Sequence, residues 1–180
     1  MSSIYLIANN PYYVNNNLKL PKKDDIIVRF NHGSINTLKL FNGITNILVF
    51  RQHKSGFHGI KNNTIINKYI KSTKDIYNIN FYVLTWNEKD LNDIINKTKI
   101  NDNIDINKII ISENRPTFLH KSPSSGFVFL NYIIKKYKNS KIYLVGWDFH
   151  KYGNHSHHDF HQEQYIVKIL MKINPNIKII

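Results

Sequence analysis

The sequence contains no cysteine and no long hydrophobic run, and these two absences exclude several classes of protein. Without cysteine there is no disulfide framework, no thiolate metal site and no cysteine nucleophile, which agrees with a reducing compartment. No apolar stretch approaches the roughly 20 residues of a membrane-spanning helix, and residues 1–10 lack the pattern of a signal peptide. We therefore expect a soluble, cytoplasmic protein whose chemistry depends on histidine, serine, asparagine and carboxylate side chains.

Acidic residues are also scarce, since 12 Asp and Glu stand against 25 Lys and Arg and give a formal net charge of +13. Part of this excess reflects a general bias toward Asn, Ile and Lys. The remainder favours anionic partners such as a nucleotide, an acidic sugar or an anionic lipid. The lysines are scattered and accompany no nucleic-acid-binding motif, so we expect no nucleic-acid partner. The basic surface would suit peripheral docking at the inner face of an anionic membrane.

Short apolar runs of strand length alternate with segments of helical spacing. The runs are rich in β-branched and aromatic residues, which favours strands at Ile4–Ile7, Ile26–Phe30, Ile47–Phe50, Phe81–Leu84, Ile109–Ser112 and Ile142–Val145. Helical spacing occurs at Lys89–Lys97, Ser125–Tyr137 and Asp159–Ile173. This alternation predicts a single α/β domain over residues 1–180 with a mostly parallel sheet. Such sheets bind ligands at the carboxyl ends of their strands.

Polar residues follow the predicted strands at the positions where a ligand would bind. Asn9 and Asn10 follow the first strand and Asn31 follows the second, although turn geometry alone also explains such asparagines. The segment Pro123–Gly126 precedes an apolar helix. The amides at the start of that helix could bind a carboxylate or a phosphate, and the serines could equally be ordinary caps.

Five of the nine histidines fall between His150 and His161, directly after the most apolar strand. One interpretation is a zinc site, because His157 and His161 have the i, i+4 spacing of two ligands on a helix and Glu163 lies nearby. A second is a dinuclear phosphoesterase containing Gly153–His155, which needs further Asp and His ligands at other strand ends. Those strand ends carry asparagine and serine instead, which favours the third interpretation, a metal-free histidine catalyst.

Four segments, taken in order, resemble the motifs of the sialyltransferase family, both the eukaryotic enzymes and, more loosely, the bacterial CMP-sialic-acid-dependent ones. Ile4–Asn10 resembles the start of the large motif, and Ile27–Asn31 resembles its end, Arg-x-Asn. Pro123–Gly126 resembles the core of the small motif, and His158–Glu163 matches the His-x4-Glu of the very small motif. Ala8 stands where the family has Gly, and the separate histidine-aromatic motif is compressed.

The resemblance implies a Rossmann-like domain with helices on both faces, in the GT-A-like variant of sialyltransferases. It implies a metal-independent, inverting glycosyltransferase that moves a CMP-activated acidic sugar such as sialic acid to a glycan hydroxyl, with no further cofactor. His158 would be the general base and His155 would donate a proton to the leaving phosphate, while Glu163 would orient the histidine-bearing loop. Gly146 would let the backbone pass close to the cytosine ring. The donor-binding residues would be Asn9, Asn10, Asn31, Ser124, Ser125, Gly126, Gly146, Tyr152 and His157.

Three alternatives to this interpretation stay open at the level of sequence. The donor could be CMP-Kdo or another CMP-nonulosonate, which would use the same chemistry. The chain could instead be a binding module that holds a nucleotide or a glycan without turnover. It could also be a metal-dependent phosphoesterase, which chelators would inactivate.

Overall fold

A computed structural model of the chain describes residues 2–10, 12–13, 18–31, 37, 39–53, 56–57, 80–85, 108–111, 121–149 and 158–180. The elements whose bounds lie within these residues are eight strands, two α-helices and one short 3-10 helix over Leu40–Gly43. The strands are β1 (Ser3–Ile7), β2 (Ile26–Phe30), β3 (Ile47–His53), β4 (Gly56–Phe57), β5 (Asn80–Thr85), β6 (Lys108–Ile111), β7 (Lys141–Val145) and β8 (Ile177–Ile179). The α-helices are α1 (Ser125–Lys136), between β6 and β7, and α2 (Phe160–Ile173), between β7 and β8.

The strands form one sheet in the order β6-β5-β3-β2-β1-β7-β8, and each neighbouring pair along this path is parallel. β4 pairs antiparallel with β3 outside this path. The chain moves outward from β1 to β6 and then returns to place β7 on the other side of β1. The prediction of an α/β fold with a mostly parallel sheet is therefore confirmed. Because the strand order reverses between β1 and β7, an open sheet of this kind has its crevice at the carboxyl ends of these two strands.

Side chains of the central strands alternate between two hydrophobic clusters. Leu6 of β1 packs in the same cluster as Phe129 of α1 and Val167 of α2, so both described α-helices cover one face of the sheet. Ile7 packs on the opposite face, where Phe41 of the 3-10 helix covers it. The predicted helix at residues 89–97 lies outside the described residues, so helices on both faces stay a prediction.

The predicted elements and the observed ones agree closely at several boundaries. β2 covers the predicted residues, α1 ends one residue earlier than predicted, and α2 begins one residue later. β8 was not predicted, because three residues with a central lysine are too short to show a strand period. Within the described ranges, neither helix combines the length and the hydrophobicity that crossing a bilayer requires.

Arg29 of β2 is 2% exposed, and it lies on the face of the sheet away from the α-helices. Its Nε donates to Thr45 Oγ1 at 3.0 Å, and its terminal nitrogens donate to the carbonyl oxygens of Thr37, Leu40 and Ile44. These acceptors replace the water that the guanidinium loses on burial. The first residue of the predicted Arg-x-Asn motif therefore holds the 3-10 segment against the sheet.

Candidate functional site

Residues Ser122–Ser124, which lead into α1, are bound by side chains from two other parts of the fold. His158, which lies just before α2, has its Nδ1 2.7 Å from the carbonyl oxygen of Ser122. Arg51, in β3, donates from Nη1 to the carbonyl oxygen of Pro123 at 2.5 Å. Ser124 contacts Glu163 of α2 directly. The Ser122–Ser124 segment is thus the point where β3, α1 and α2 meet, at the carboxyl edge of the sheet.

Ser124 and Glu163 form a two-point contact between the starts of the two helices. The Ser124 backbone N–H donates to Glu163 Oε1 at 2.6 Å, and the Ser124 hydroxyl lies 2.7 Å from Oε2. The same hydroxyl accepts from the Phe127 backbone N–H at 3.2 Å, as the N-cap of α1. A serine hydroxyl can donate once and still accept, so one side chain both caps α1 and binds α2.

Glu163 is 1% exposed, and this burial raises the pKa of its carboxyl to about 7. The hydrogen bonds from Ser124 and the positive charge of Arg51 oppose the increase, while the nearby charge of Asp159 adds to it. Burial dominates because the charged carboxylate loses more hydration than two hydrogen bonds return. The carboxyl group therefore changes its protonation state near neutral pH.

The contact between His158 and Ser122 decides which ring nitrogen of His158 can act as a base. A carbonyl oxygen only accepts hydrogen bonds, so the proton of the neutral ring lies on Nδ1, and the lone pair lies on Nε2. The ring is half-buried and packs near Phe160, with centroids 5.5 Å apart. Its backbone directly precedes Asp159, the N-cap of α2. An imidazole held in this way is suited to remove a proton through Nε2.

Arg51 is a site residue that sequence reasoning missed. Its backbone N–H donates to Asn31 Oδ1 at 3.1 Å, so the asparagine at the end of β2 fixes the backbone of β3 where the Arg51 side chain leaves it. Asn31 itself has φ 46°, a left-handed conformation that asparagine tolerates better than most residues. The only signal for Arg51 was an arginine directly after the third apolar run. Asn31 thus has the turn role that the sequence left as an alternative.

Asn10 and Gly146 connect the loops after β1 and β7, on the two sides of the point where strand order reverses. Asn10 is 4% exposed, donates from Nδ2 to the Gly146 carbonyl at 3.2 Å, and accepts from the Tyr12 N–H at 2.9 Å. Gly146 has φ +69°, and a Cβ there would lie 3.0 Å from Cγ of Tyr13. The Tyr13 ring thus covers the side of Gly146 from which a Cβ would project. The close approach of the Gly146 backbone to a cytosine ring stays a prediction.

Trp147 joins the start of α1 to the same region. Its indole N–H donates to the carbonyl oxygen of Leu6 in β1 at 2.8 Å. A Cβ at Gly126 would lie 3.1 Å from the Trp147 ring, so the absence of a side chain there lets α1 pack on the indole. Trp147 therefore connects β1 to the first turn of α1, which directly follows the Ser122–Ser124 segment.

The structure accordingly brings together the ends of β1, β2, β3 and β7 and the starts of both helices. Asn9 is exposed beside the loop of Asn10, and Ser125 is buried in the first turn of α1. The predicted site residues Tyr152, His155 and His157 lie outside the described residues, so their predicted roles remain predictions.

Within the described residues, no group of three or more histidine, aspartate or glutamate side chains could hold a metal ion. Both oxygens of Glu163 bind Ser124, whereas His161 is exposed on α2. The zinc interpretation would need Glu163 to give up these contacts. The phosphoesterase interpretation depends on residues 153–155, which lie outside the described residues.

The chain matches no protein-family model, and searches of the curated proteins and of the solved structures give no match.

Proposed function

We propose that this chain is a metal-independent, inverting glycosyltransferase that uses a CMP-activated acidic sugar as its donor. The observation that carries the proposal is the contact between His158 Nδ1 and the Ser122 carbonyl oxygen at 2.7 Å. It directs the lone pair of a half-buried imidazole to Nε2, beside the starts of two helices. The resemblance to the sialyltransferase motifs supplies the class of donor and the direction of the reaction.

In the proposed reaction, His158 Nε2 takes the proton from an acceptor hydroxyl. The hydroxyl oxygen attacks the anomeric carbon of the donor, and the bond from that carbon to the phosphate oxygen of CMP breaks with its electron pair on CMP. His155 would supply a proton or a hydrogen bond to the departing phosphate. A correctly placed base contributes about 10²–10⁴-fold to such a step.

The positive end of the α1 dipole and the Arg51 guanidinium support the binding of an anionic donor at this edge of the sheet. The first turn of α1 has no acidic residue of its own. Among the described residues, the carboxyl group that binds at the start of α1 is that of Glu163. Glu163 acts as a positioning residue, because it ties the Ser122–Ser124 segment to the helix that follows His158. The exposed Asn9 remains a candidate for contact with the donor.

The experiment that tests the proposal measures CMP release from CMP-sialic acid, with and without EDTA, and CMP binding by calorimetry. His158→Ala should lower release by about 10²–10⁴-fold while CMP binding and the unfolding midpoint stay near those of the wild type. His161→Ala is the matched control, since this histidine is exposed on α2.

Each alternative predicts a different result in the same experiment. Release that EDTA abolishes would mean a metal-dependent phosphoesterase, and CMP binding without release from any CMP-sugar would mean a binding module. Release from CMP-Kdo alone would keep the chemistry and change the donor. If His158→Ala and His161→Ala lower release equally, His158 is not the base.

A further inference from the structure

The outer side of α2 carries an apolar stripe exposed to solvent. Tyr165 is 67% exposed, Ile169 41% and Ile173 72%, and their spacing of four residues aligns them along one side of the helix. The opposite side of α2 is buried through Glu163 and Val167. Single exposed apolar residues are common, whereas three aligned on one side of a helix give that side the character of an amphipathic surface.

Exposed lysines border this stripe. Lys168 and Lys172 lie on the exposed side of α2, and Ile179 of the edge strand β8 is 39% exposed on the face of the sheet that α2 covers. Helical geometry places Lys172 about 20° and Lys168 about 60° around the helix from Tyr165, on the side away from the isoleucines. Residues 164–180 contain no aspartate or glutamate, so no acidic side chain of α2 beyond Glu163, or of β8, offsets this charge. We call the exposed residues of α2, together with Ile179 of β8, the α2–β8 face.

We propose that the α2–β8 face is a docking surface for an anionic lipid bilayer. An amphipathic helix with aromatic and aliphatic residues on one side and lysines beside them binds at the interface of a membrane, with its apolar side among the acyl chains and its lysines at the headgroups. Such binding would use both the apolar stripe and the lysines beside it. An RNA or DNA partner would engage the lysines and leave the isoleucines in water.

A second copy of the chain fits this surface less well than an anionic bilayer. Two copies that met through their α2–β8 faces would bring lysines close to lysines. Each copy also carries a net charge of +13, which adds long-range repulsion. Acidic headgroups of a bilayer would instead attract both the lysines and the net positive charge of the chain.

Docking through this face would also keep the candidate site near the lipid surface. α2 begins beside His158 and has 14 residues, so its full length is about 21 Å. If the proposed transfer reaction is correct, an acceptor glycan on a lipid would lie within reach of the site. The docking proposal itself does not depend on that reaction.

The test is sedimentation of the full chain with phosphatidylcholine vesicles, with and without phosphatidylglycerol, at low and high salt. We expect binding to the anionic vesicles only, and weaker binding as salt increases. Lys168→Ala/Lys172→Ala should lower the partition coefficient about 20-fold, and Ile169→Ser/Ile173→Ser about 10-fold. The matched controls are Lys19→Ala/Lys23→Ala and Leu20→Ser, at exposed positions before β2.

The results separate this proposal from the alternatives. All variants should keep the wild-type unfolding midpoint, because the substituted side chains are exposed. The proposal is wrong if anionic vesicles do not bind the protein, or if the control variants weaken binding as much as the α2–β8 variants. A dimer in solution that Ile169→Ser/Ile173→Ser dissociates, without vesicle binding, would make the face an interface between copies and would also overturn the proposal.

Discussion

Replacing Glu163 by glutamine should remove a pH dependence from the stability of this protein. In the folded chain, glutamine can accept the Ser124 backbone N–H through its oxygen and donate to the Ser124 hydroxyl through its amide nitrogen. The hydroxyl can still accept from the Phe127 N–H, as it does in the wild type. Glu163→Gln is therefore a close mimic of the protonated carboxyl group, without its ability to ionise.

The magnitude follows from the pKa of Glu163 in the folded and unfolded chain. Burial raises this pKa from its ordinary value of 4.5 to about 7, so the folded state binds the proton more tightly than the unfolded state does. The resulting stabilisation is fully present below about pH 4.5 and is lost as the pH rises through about 7. The separation between the two values corresponds to about 3 kcal/mol of unfolding free energy.

The assay is urea unfolding followed by tryptophan fluorescence between about pH 4 and pH 8, since Trp147 is buried beside the site. Relative to the wild type, Glu163→Gln should gain about 3 kcal/mol across this range, with an unchanged dependence on urea. Asp24→Asn, at an exposed position, controls for the general effect of removing a negative charge. A constant difference between wild type and Glu163→Gln across the range, or one of opposite sign, would refute the reasoning.

Two further substitutions test the packing around the site. Gly146→Ala should lower the free energy of unfolding, measured in urea, by about 1–3 kcal/mol. The cause is that φ of Gly146 is +69° and that the added Cβ would lie 3.0 Å from the Tyr13 ring. A decrease under about 0.5 kcal/mol would contradict this explanation. Arg29→Met should lower the free energy of unfolding by about 3 kcal/mol, since it leaves buried carbonyl oxygens without their donor. Lys23→Met, at an exposed position, should leave the free energy of unfolding almost unchanged, and an equal loss in both variants would contradict the role of Arg29.

Local patterns in the sequence were enough to predict the elements that build the site. Leu6 and its neighbours alternate between buried faces, as the apolar run Ile4–Ile7 indicated, and β1 extends that run by one residue. Ser124 is the N-cap of α1, and it is one of the two serines that the sequence offered as ordinary caps. His158 and Glu163 lie on either side of the start of α2, because the spacing of five residues spans a cap and one helical turn.

Contacts between distant parts of the chain were not predictable in the same way. The contact of Arg51 with Pro123 joins residues 72 positions apart, and the contact of Asn10 with Gly146 joins residues 136 positions apart. Both depend on which strands are neighbours in the sheet. The alternation of strands and helices along the sequence does not determine the order of the strands in the sheet. For the same reason, the sequence does not reveal that the Tyr13 ring lies beside Gly146, where the cytosine contact is expected.

Hydrophobic period and capping act over a few neighbouring residues, so the amino-acid sequence alone was enough to predict the α/β class, the mostly parallel sheet and, to within one residue, the starts of both α-helices. The contact of His158 with the Ser122 carbonyl oxygen and the burial of Glu163 against Ser124 arise from the packing of distant segments, which the sequence pattern does not reveal. The tautomer of His158 follows from its contact with Ser122, and the raised pKa of Glu163 follows from its burial, which outweighs the hydrogen bonds from Ser124. The Ser122 acceptor and the Ser124 donors lie more than 30 positions from His158 and Glu163 in the sequence, and they become neighbours only when the sheet has assembled.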